Sequence, residues 1–215
     1  MILSDKDIKK ALKSGKISID PLFPNSIQPA SVDLHLGADF LIFRTDEHIA
    51  IDPKEKLDNM MERVKIAKNK QFVIHPGQFA LGMTYETVGV AKNMVGRLEG
   101  KSSLGRIGLI IHATAGYLDP GNKLRMTLEL HNIANLPIKL YYKMPIAQMS
   151  FTPLSSQAER AYGSEGMNSK YFGAKKPQAS QYYKNFLKNN EWIDFKWHLS
   201  VIPEATNIMR AIWDP

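Results

Sequence analysis

Ser31-Val32-Asp33-Leu34-His35-Leu36 alternates polar and apolar residues over six positions. A period of two puts Val32, Leu34 and Leu36 on one face of a strand, with Asp33 and His35 on the other. The same texture repeats outward from it. Short runs at Lys16–Asp20, Phe40–Arg44, Gln71–His75 and Gln78–Met83 lie between breakers at Pro21, Pro24-Asn25, Gly37, Pro53 and Pro76-Gly77. The densest strand region is Val88 to Pro153. It holds Met94–Leu98, Gly108–Ala113, Arg125–His131, Ile138–Tyr142 and Ile146–Phe151, separated by turns at Gly100, Asp119-Pro120-Gly121 and Leu136-Pro137. Short strands at this spacing predict a mainly β domain, a sandwich or a barrel. One clear helix stands ahead of them. Ser4 can cap it, Ile8, Ala11 and Leu12 fall at helical spacing, and Gly15 stops it.

The chain has 215 residues, 44% of them hydrophobic and 23% charged, which is ordinary composition for one domain with a modest extension. It contains no cysteine, which excludes a disulfide framework and any thiolate-built zinc or iron–sulfur site. No window approaches the roughly 18–20 apolar residues of a membrane span. The N-terminus has no leader pattern, so the expected location is the cytoplasm. Residues 155–185 are mostly polar and read as a loop or mobile arm. All three Trp (Trp192, Trp197 and Trp213) fall in the last 24 residues. The expected organisation is one domain over 1–187, including an arm from about 155, and a Trp-rich extension over 188–215.

The net charge of +7 points to an anionic partner. It is unevenly spread: the 47 residues from Arg97 to Lys143 carry seven cations and three anions, +4 of the +7. That stretch contains Gly100-Lys101-Ser102-Ser103-Leu104-Gly105-Arg106. Two cations there bracket two hydroxyls, with a glycine on each side. Glycines let the backbone approach an anion, hydroxyls donate to its oxygens, and Lys and Arg neutralise it. The pattern fits either a phosphate cradle or a solvated loop, and lacks the P-loop spacing. Asp119 sits on the Pro120-Gly121 turn, where it either bonds its own backbone or faces a ligand. Glu129 lies opposite Leu128 and Leu130 on its strand. It is a surface residue if that face looks outward, and a rigidly held general base if it looks into a cleft.

Together these segments resemble the dCTP deaminase branch of the dUTPase superfamily. The likeness runs through Gly96-Arg97-Leu98-Glu99-Gly100-Lys101-Ser102-Ser103-Leu104-Gly105-Arg106, His112-Ala113-Thr114-Ala115-Gly116-Tyr117-Leu118-Asp119-Pro120-Gly121 and Thr127-Leu128-Glu129-Leu130. It extends to Met1–Asp5, Gln28–Asp33, His75-Pro76-Gly77, Tyr162-Gly163 and Ser169-Lys170-Tyr171, and so spans roughly residues 1–187. Within the family, Gly116-Tyr117 and the Lys101–Arg106 loop are most similar to the bifunctional, dUMP-forming enzymes.

The resemblance implies a distorted β-barrel, or β-clip, of the dUTPase-like type. It implies a homotrimer, and hydrolytic deamination of dCTP followed by release of pyrophosphate to give dUMP. It makes Glu129 the general acid/base, with Arg106 pairing with Glu129 or a phosphate and Ser102 holding the water or a phosphate oxygen. Lys101, Ser102, Ser103, Leu104, Gly105 and Arg106 would cradle the triphosphate. Asp119 would take the sugar 3′-hydroxyl and the water for pyrophosphate release. Thr127, Leu128 and Glu129 would line the base, as would Ala113, Thr114 and Ala115. Gln148, Tyr162 and Lys170 would also contact nucleotide. Mg2+ would travel with the triphosphate, and zinc would play no part.

Two departures from the family pattern touch this region: Asn122-Lys123-Leu124-Arg125 replaces an aromatic and a glycine, and Ala174 stands where Gln is common. The rival readings are a deaminase that stops at dUTP, a plain dUTPase, a catalytically silent trimer, and a basic barrel that binds nucleic acid. The aromatics are not interleaved with the basic stretch as a stacking platform needs, which argues against nucleic acid.

Overall fold

The computed structural model describes residues 1–45, 50–114 and 116–187. The Trp-rich extension and Ala115 lie outside the described residues. Two compact units divide the chain. The first comprises Met1–Ile51 and Leu57–Ala179; the second comprises Asp52–Lys56 and Ser180–Pro215.

Helix Asp5–Lys13 opens the first unit for the reasons its sequence contains. The Ser4 hydroxyl accepts from the Asp7 N–H at 3.4 Å. Asp5 and Asp7 lie at the positive end, Lys10 and Lys13 at the negative end. Ile8 and Ala11 are buried, and Gly15 ends the helix at φ 73°.

The rest of the unit is antiparallel β. One five-stranded sheet runs in the order Tyr117–Leu118, Met94–Gly100, Pro145–Pro153, Ser31–His35, Ile27–Gln28. A second runs Leu109–Ile110, Thr127–Asn132, Phe79–Met83, Asp39–Phe43, Met61–Lys65. Ile17–Asp20, Thr87–Val90 and Lys123–Leu124 form a three-stranded sheet, and Gln71–Ile74 pairs with Ile138–Tyr141. The mainly β expectation holds. The alternation at Ser31 is observed as read: Val32, Leu34 and Leu36 are fully buried, while Asp33 and His35 are only partly so.

Buried residues from the sheets and the helix make one core. Phe40 stacks on Phe72 with centroids 4.1 Å apart and planes 5° from parallel. A smaller apolar cluster gathers Leu41, Leu57, Met60, Met61 and Ala179.

The arm has no strands from Leu154 to Ala179, yet backbone bonds tie its described residues down. Leu154, Ala158 and Tyr162 donate to Asn93, Lys92 and Pro120 respectively. In the second unit, Lys184–Leu187 forms one helical turn. Lys54 and Lys56 each place an ammonium 5.7 Å from a ring, over Phe186 and Tyr183.

Candidate active site

Strand Thr127–Asn132 is held between Phe79–Met83 and Leu109–Ile110. Register places Glu129 opposite Leu81, with Leu128 and Leu130 fully buried on the other face. Glu129 is half-buried, and the segment after Leu109–Ile110 folds over it. The Ala113 N–H donates to Glu129 Oε2 at 2.8 Å and the Thr114 N–H to the same oxygen at 3.1 Å. The Thr114 hydroxyl lies 3.4 Å from both carboxylate oxygens. Glu129 is therefore neither loose on the surface nor sealed in the core. Two main-chain donors and a rigid strand fix its carboxylate, the arrangement that places a proton-transferring group reproducibly.

The Lys101–Arg106 segment follows directly from central strand Met94–Gly100 and is a single helical turn over Ser102–Gly105, with Lys101 at its N-cap. Ser102, Ser103, Gly105 and Arg106 are exposed, and the side chains of Ser102, Ser103 and Arg106 have no partner among the described residues. Leu104 turns inward against the core instead. Lys101 is also engaged: its ammonium lies 2.7 Å from the Asp33 carboxylate, both side chains being more than three-quarters buried. Gln148 is the register neighbour of Asp33 and of Glu99. Asp33, Lys101 and Gln148 thus form one patch on the sheet that carries the loop. Among the described residues the partners of Glu129 are Ala113 and Thr114, not Arg106.

Asp119 ends strand Tyr117–Leu118, which pairs with Met94–Gly100. The Asn122 N–H closes the turn on the Asp119 carbonyl at 3.0 Å, with Gly121 at φ 80° as a type II turn requires. Burial pushes the Asp119 carboxyl above its ordinary range, opposed by a bond from its own backbone N–H.

Gly116 is buried in a place where only glycine fits. A Cβ there would lie 2.5 Å from the Leu98 carbonyl oxygen and 3.1 Å from the His112 ring. The Leu98 N–H also donates to the Gly116 carbonyl at 2.7 Å, so the two main chains are locked. Tyr117 points outward, 56% exposed. His112 Nδ1 is buried without a partner beside Gly116, a feature with no signal in the sequence pattern.

Thr127 is half-buried on the Glu129 face. Leu128 has its side chain in the core, which leaves only its main chain to face a ligand. The Tyr162 hydroxyl accepts from the Tyr171 N–H at 3.3 Å, and the Lys170 side chain has no partner among the described residues. Two participants escaped the reading of single residues. Asp33 was legible only as the polar face of its strand, and Asn122 only as a departure from a pattern.

A β domain of this topology has a counterpart among solved structures. It superposes on a 2'-deoxycytidine 5'-triphosphate deaminase from Agrobacterium tumefaciens with a TM-score of 0.55 and 20% identity, covering 70% of this chain and 47% of that one. At that identity the match establishes the fold. The family follows from the sequence: residues 2–154 match the dCTP deaminase-like family model, and the chain belongs to that family. Among its relatives is a protein of Mycobacterium ulcerans (strain Agy99) named dCTP deaminase, dUMP-forming. That relative is 44% identical over 189 residues, 88% of this chain and all of its own length. The protein of the same name in Rhodococcus opacus (strain B4) is 46% identical over 188 residues, 87% of this chain and all of its own.

Proposed function

We propose that this chain is a hydrolase that converts dCTP to dUMP, releasing ammonia and pyrophosphate. The observation that carries the reading is the Glu129 carboxylate, fixed by the Ala113 and Thr114 N–H groups on a rigid strand. It is supported by relatives named dCTP deaminase, dUMP-forming that match over their whole length.

Deamination adds water across the C4=N3 bond of cytosine, and the C4–N4 bond then breaks. Glu129 takes a proton from the attacking water and delivers it to N3, then takes the proton of the new C4 hydroxyl. The proton then passes to the departing amine, the C4–N4 bond breaks, ammonia leaves, and Glu129 returns to the carboxylate. Ser102 orients the water or a phosphate oxygen. Arg106 neutralises a phosphate or engages Glu129; its guanidinium has no partner among the described residues, so it is available to either, including from a neighbouring copy. In the second half-reaction, water attacks the α-phosphorus, pyrophosphate leaves, and Asp119 positions that water and the 3′-hydroxyl.

Ser102, Ser103 and Arg106 offer unspent donors for the triphosphate. Lys101 joins them once a phosphate competes with Asp33 for its ammonium. Gln148, Tyr162 and Lys170 complete the nucleotide contacts. Among the described residues no three His, Asp or Glu side chains converge on one point. A magnesium ion held mainly by phosphate oxygens and water would neutralise triphosphate charge. Ala115 belongs to the base-lining set by sequence alone. Assembly as a homotrimer is part of the same reading. Among the described residues no helix is long and apolar enough to cross a membrane, which is compatible with a cytoplasmic location.

Incubation with dCTP and Mg2+, followed by anion-exchange separation of products, tests the reading. Ammonia, pyrophosphate and dUMP are expected in equal amounts, with little free dUTP. Accumulation of dUTP would reduce the activity to deamination alone, and untouched dCTP would overturn the reading.

A further inference from the structure

Asn122 and Arg125 lie where the sequence departs from the family pattern, and so does Ala174 on the far side of the arm. In the folded chain the two departures meet. The Arg125 N–H donates to the Ala174 carbonyl at 2.9 Å, and the Gly173 N–H reaches Asn122 Oδ1 at 3.5 Å. Asn122 is only 4% exposed. Its Oδ1 also accepts from the Lys123 N–H at 2.9 Å, and its own N–H closes the Asp119 turn. One buried amide therefore bonds the turn to itself and the arm to the turn.

The start of the arm is anchored to the same turn. The Tyr162 N–H donates to the Pro120 carbonyl at 2.9 Å. Ala161 packs so closely on Gly121 that a Cβ on that glycine would lie 2.7 Å from the Ala161 methyl. Between these two anchors the arm closes on itself. The Gly163 N–H donates to the Ser169 hydroxyl at 2.8 Å, the Tyr171 N–H donates to the Tyr162 hydroxyl, and the Tyr162 and Phe172 rings lie 6.4 Å apart. Residues 161–174 thus form a closed loop whose two ends both rest on the turn that bears Asp119.

We propose that Asn122 is a positioning residue. It clamps the arm onto the Asp119 turn, so that Asp119, Tyr162 and Lys170 meet the nucleotide as one preformed unit. The inference rests on the reading of those three as nucleotide contacts. A segment ordered before binding does not pay ordering entropy at binding, so the clamp acts on affinity rather than on the chemical step.

The test compares Asn122→Ala with Asn122→Asp in the full chain. Aspartate keeps the oxygen that accepts from Gly173 and Lys123; alanine removes it. Limited trypsin digestion without nucleotide, mapped by mass spectrometry, reads cleavage after Arg160 and Lys170. Steady-state kinetics with dCTP read KM and kcat separately. For Asn122→Ala, cleavage should rise ~5–10-fold as local opening becomes easier. Its KM should rise by a similar ~5–10-fold, with kcat within ~2-fold. Asn122→Asp should stay near the starting protein in both readouts. Unchanged cleavage in Asn122→Ala, or faster cleavage with unchanged KM, overturns the proposal.

Should Asn122→Ala fail to fold, Ala161→Glu releases the arm from its own side by pushing it off Gly121, with the sequence of the turn unchanged. The same two readouts then decide. Cleavage does not depend on turnover, so failure of the clamp and failure of the dCTP reading are separable.

Discussion

Replacing Gly116 with alanine should injure the protein through one contact. The added methyl would sit 2.5 Å from the Leu98 carbonyl oxygen, nearly 1 Å inside ordinary van der Waals distance. Leu98 cannot yield easily. It is 1% exposed, and its strand Met94–Gly100 is paired on both sides, with Pro145–Pro153 and Tyr117–Leu118. Movement would also stretch the 2.7 Å bond from the Leu98 N–H to the Gly116 carbonyl. Overpacking of this kind costs about 1–3 kcal/mol. For a chain of this size each kcal/mol lowers Tm by about 2–4 °C, so the fall should be about 2–12 °C. Gly105→Ala is the matched control. Nothing lies within 4 Å of its added methyl, and Gly105 is in the helical turn Ser102–Gly105. Alanine there restricts the unfolded chain and should stabilise by about 0.4–1 kcal/mol. Thermal melts of the two variants side by side provide the assay. A Gly116→Ala protein melting within about 1 °C of the parent would refute the steric account.

Two further outcomes follow from charges at the site. Burial raises the Asp119 carboxyl above its unfolded value, so the folded protein holds that proton more tightly. Stability is then lost as pH rises through the folded value. Asp119→Asn should therefore raise Tm more at pH 7 than near pH 3, measured by paired melts, while pyrophosphate release fails; an equal gain at both pH values would contradict this. The Lys101–Asp33 pair, at 2.7 Å and largely buried, should show a coupling of about 1 kcal/mol in a double-mutant cycle of Lys101→Met and Asp33→Asn. Strict additivity in denaturant melts would show the pair to be incidental.

The sequence disclosed the fold where periodicity was clean. The Ser31 strand alternates because one face is core and the other is not. The helix at Asp5–Lys13 carries its own start and stop residues. Strand Met61–Lys65 was hidden because it is a sheet edge, where Glu62, Arg63 and Lys65 face solvent and mask the apolar signal. Thr87–Val90 was hidden for the opposite reason. It is four residues long and buried on nearly every side in the middle of its sheet, so no alternation exists to be read.

The polar arm looked like a mobile loop because its anchors are main-chain groups and one buried amide, which leave no hydrophobic pattern. At the site, residue types and local spacing marked Glu129, Asp119 and the Ser102 loop. They could not say that Lys101 meets Asp33 across 68 positions, or that Ala113 and Thr114 return to Glu129. Those pairings depend on which strands lie side by side.

Glu129→Gln tests the central claim most directly. The amide keeps an oxygen to accept from Ala113 and Thr114, so the fold and the nucleotide contacts should persist, while the group can no longer cycle a proton. Calorimetric dCTP binding within ~3-fold of the parent, with ammonia release lowered by ~10^3-fold or more, is the expected result. Ammonia release at the parent rate in a protein that binds dCTP normally would remove Glu129 from the reaction.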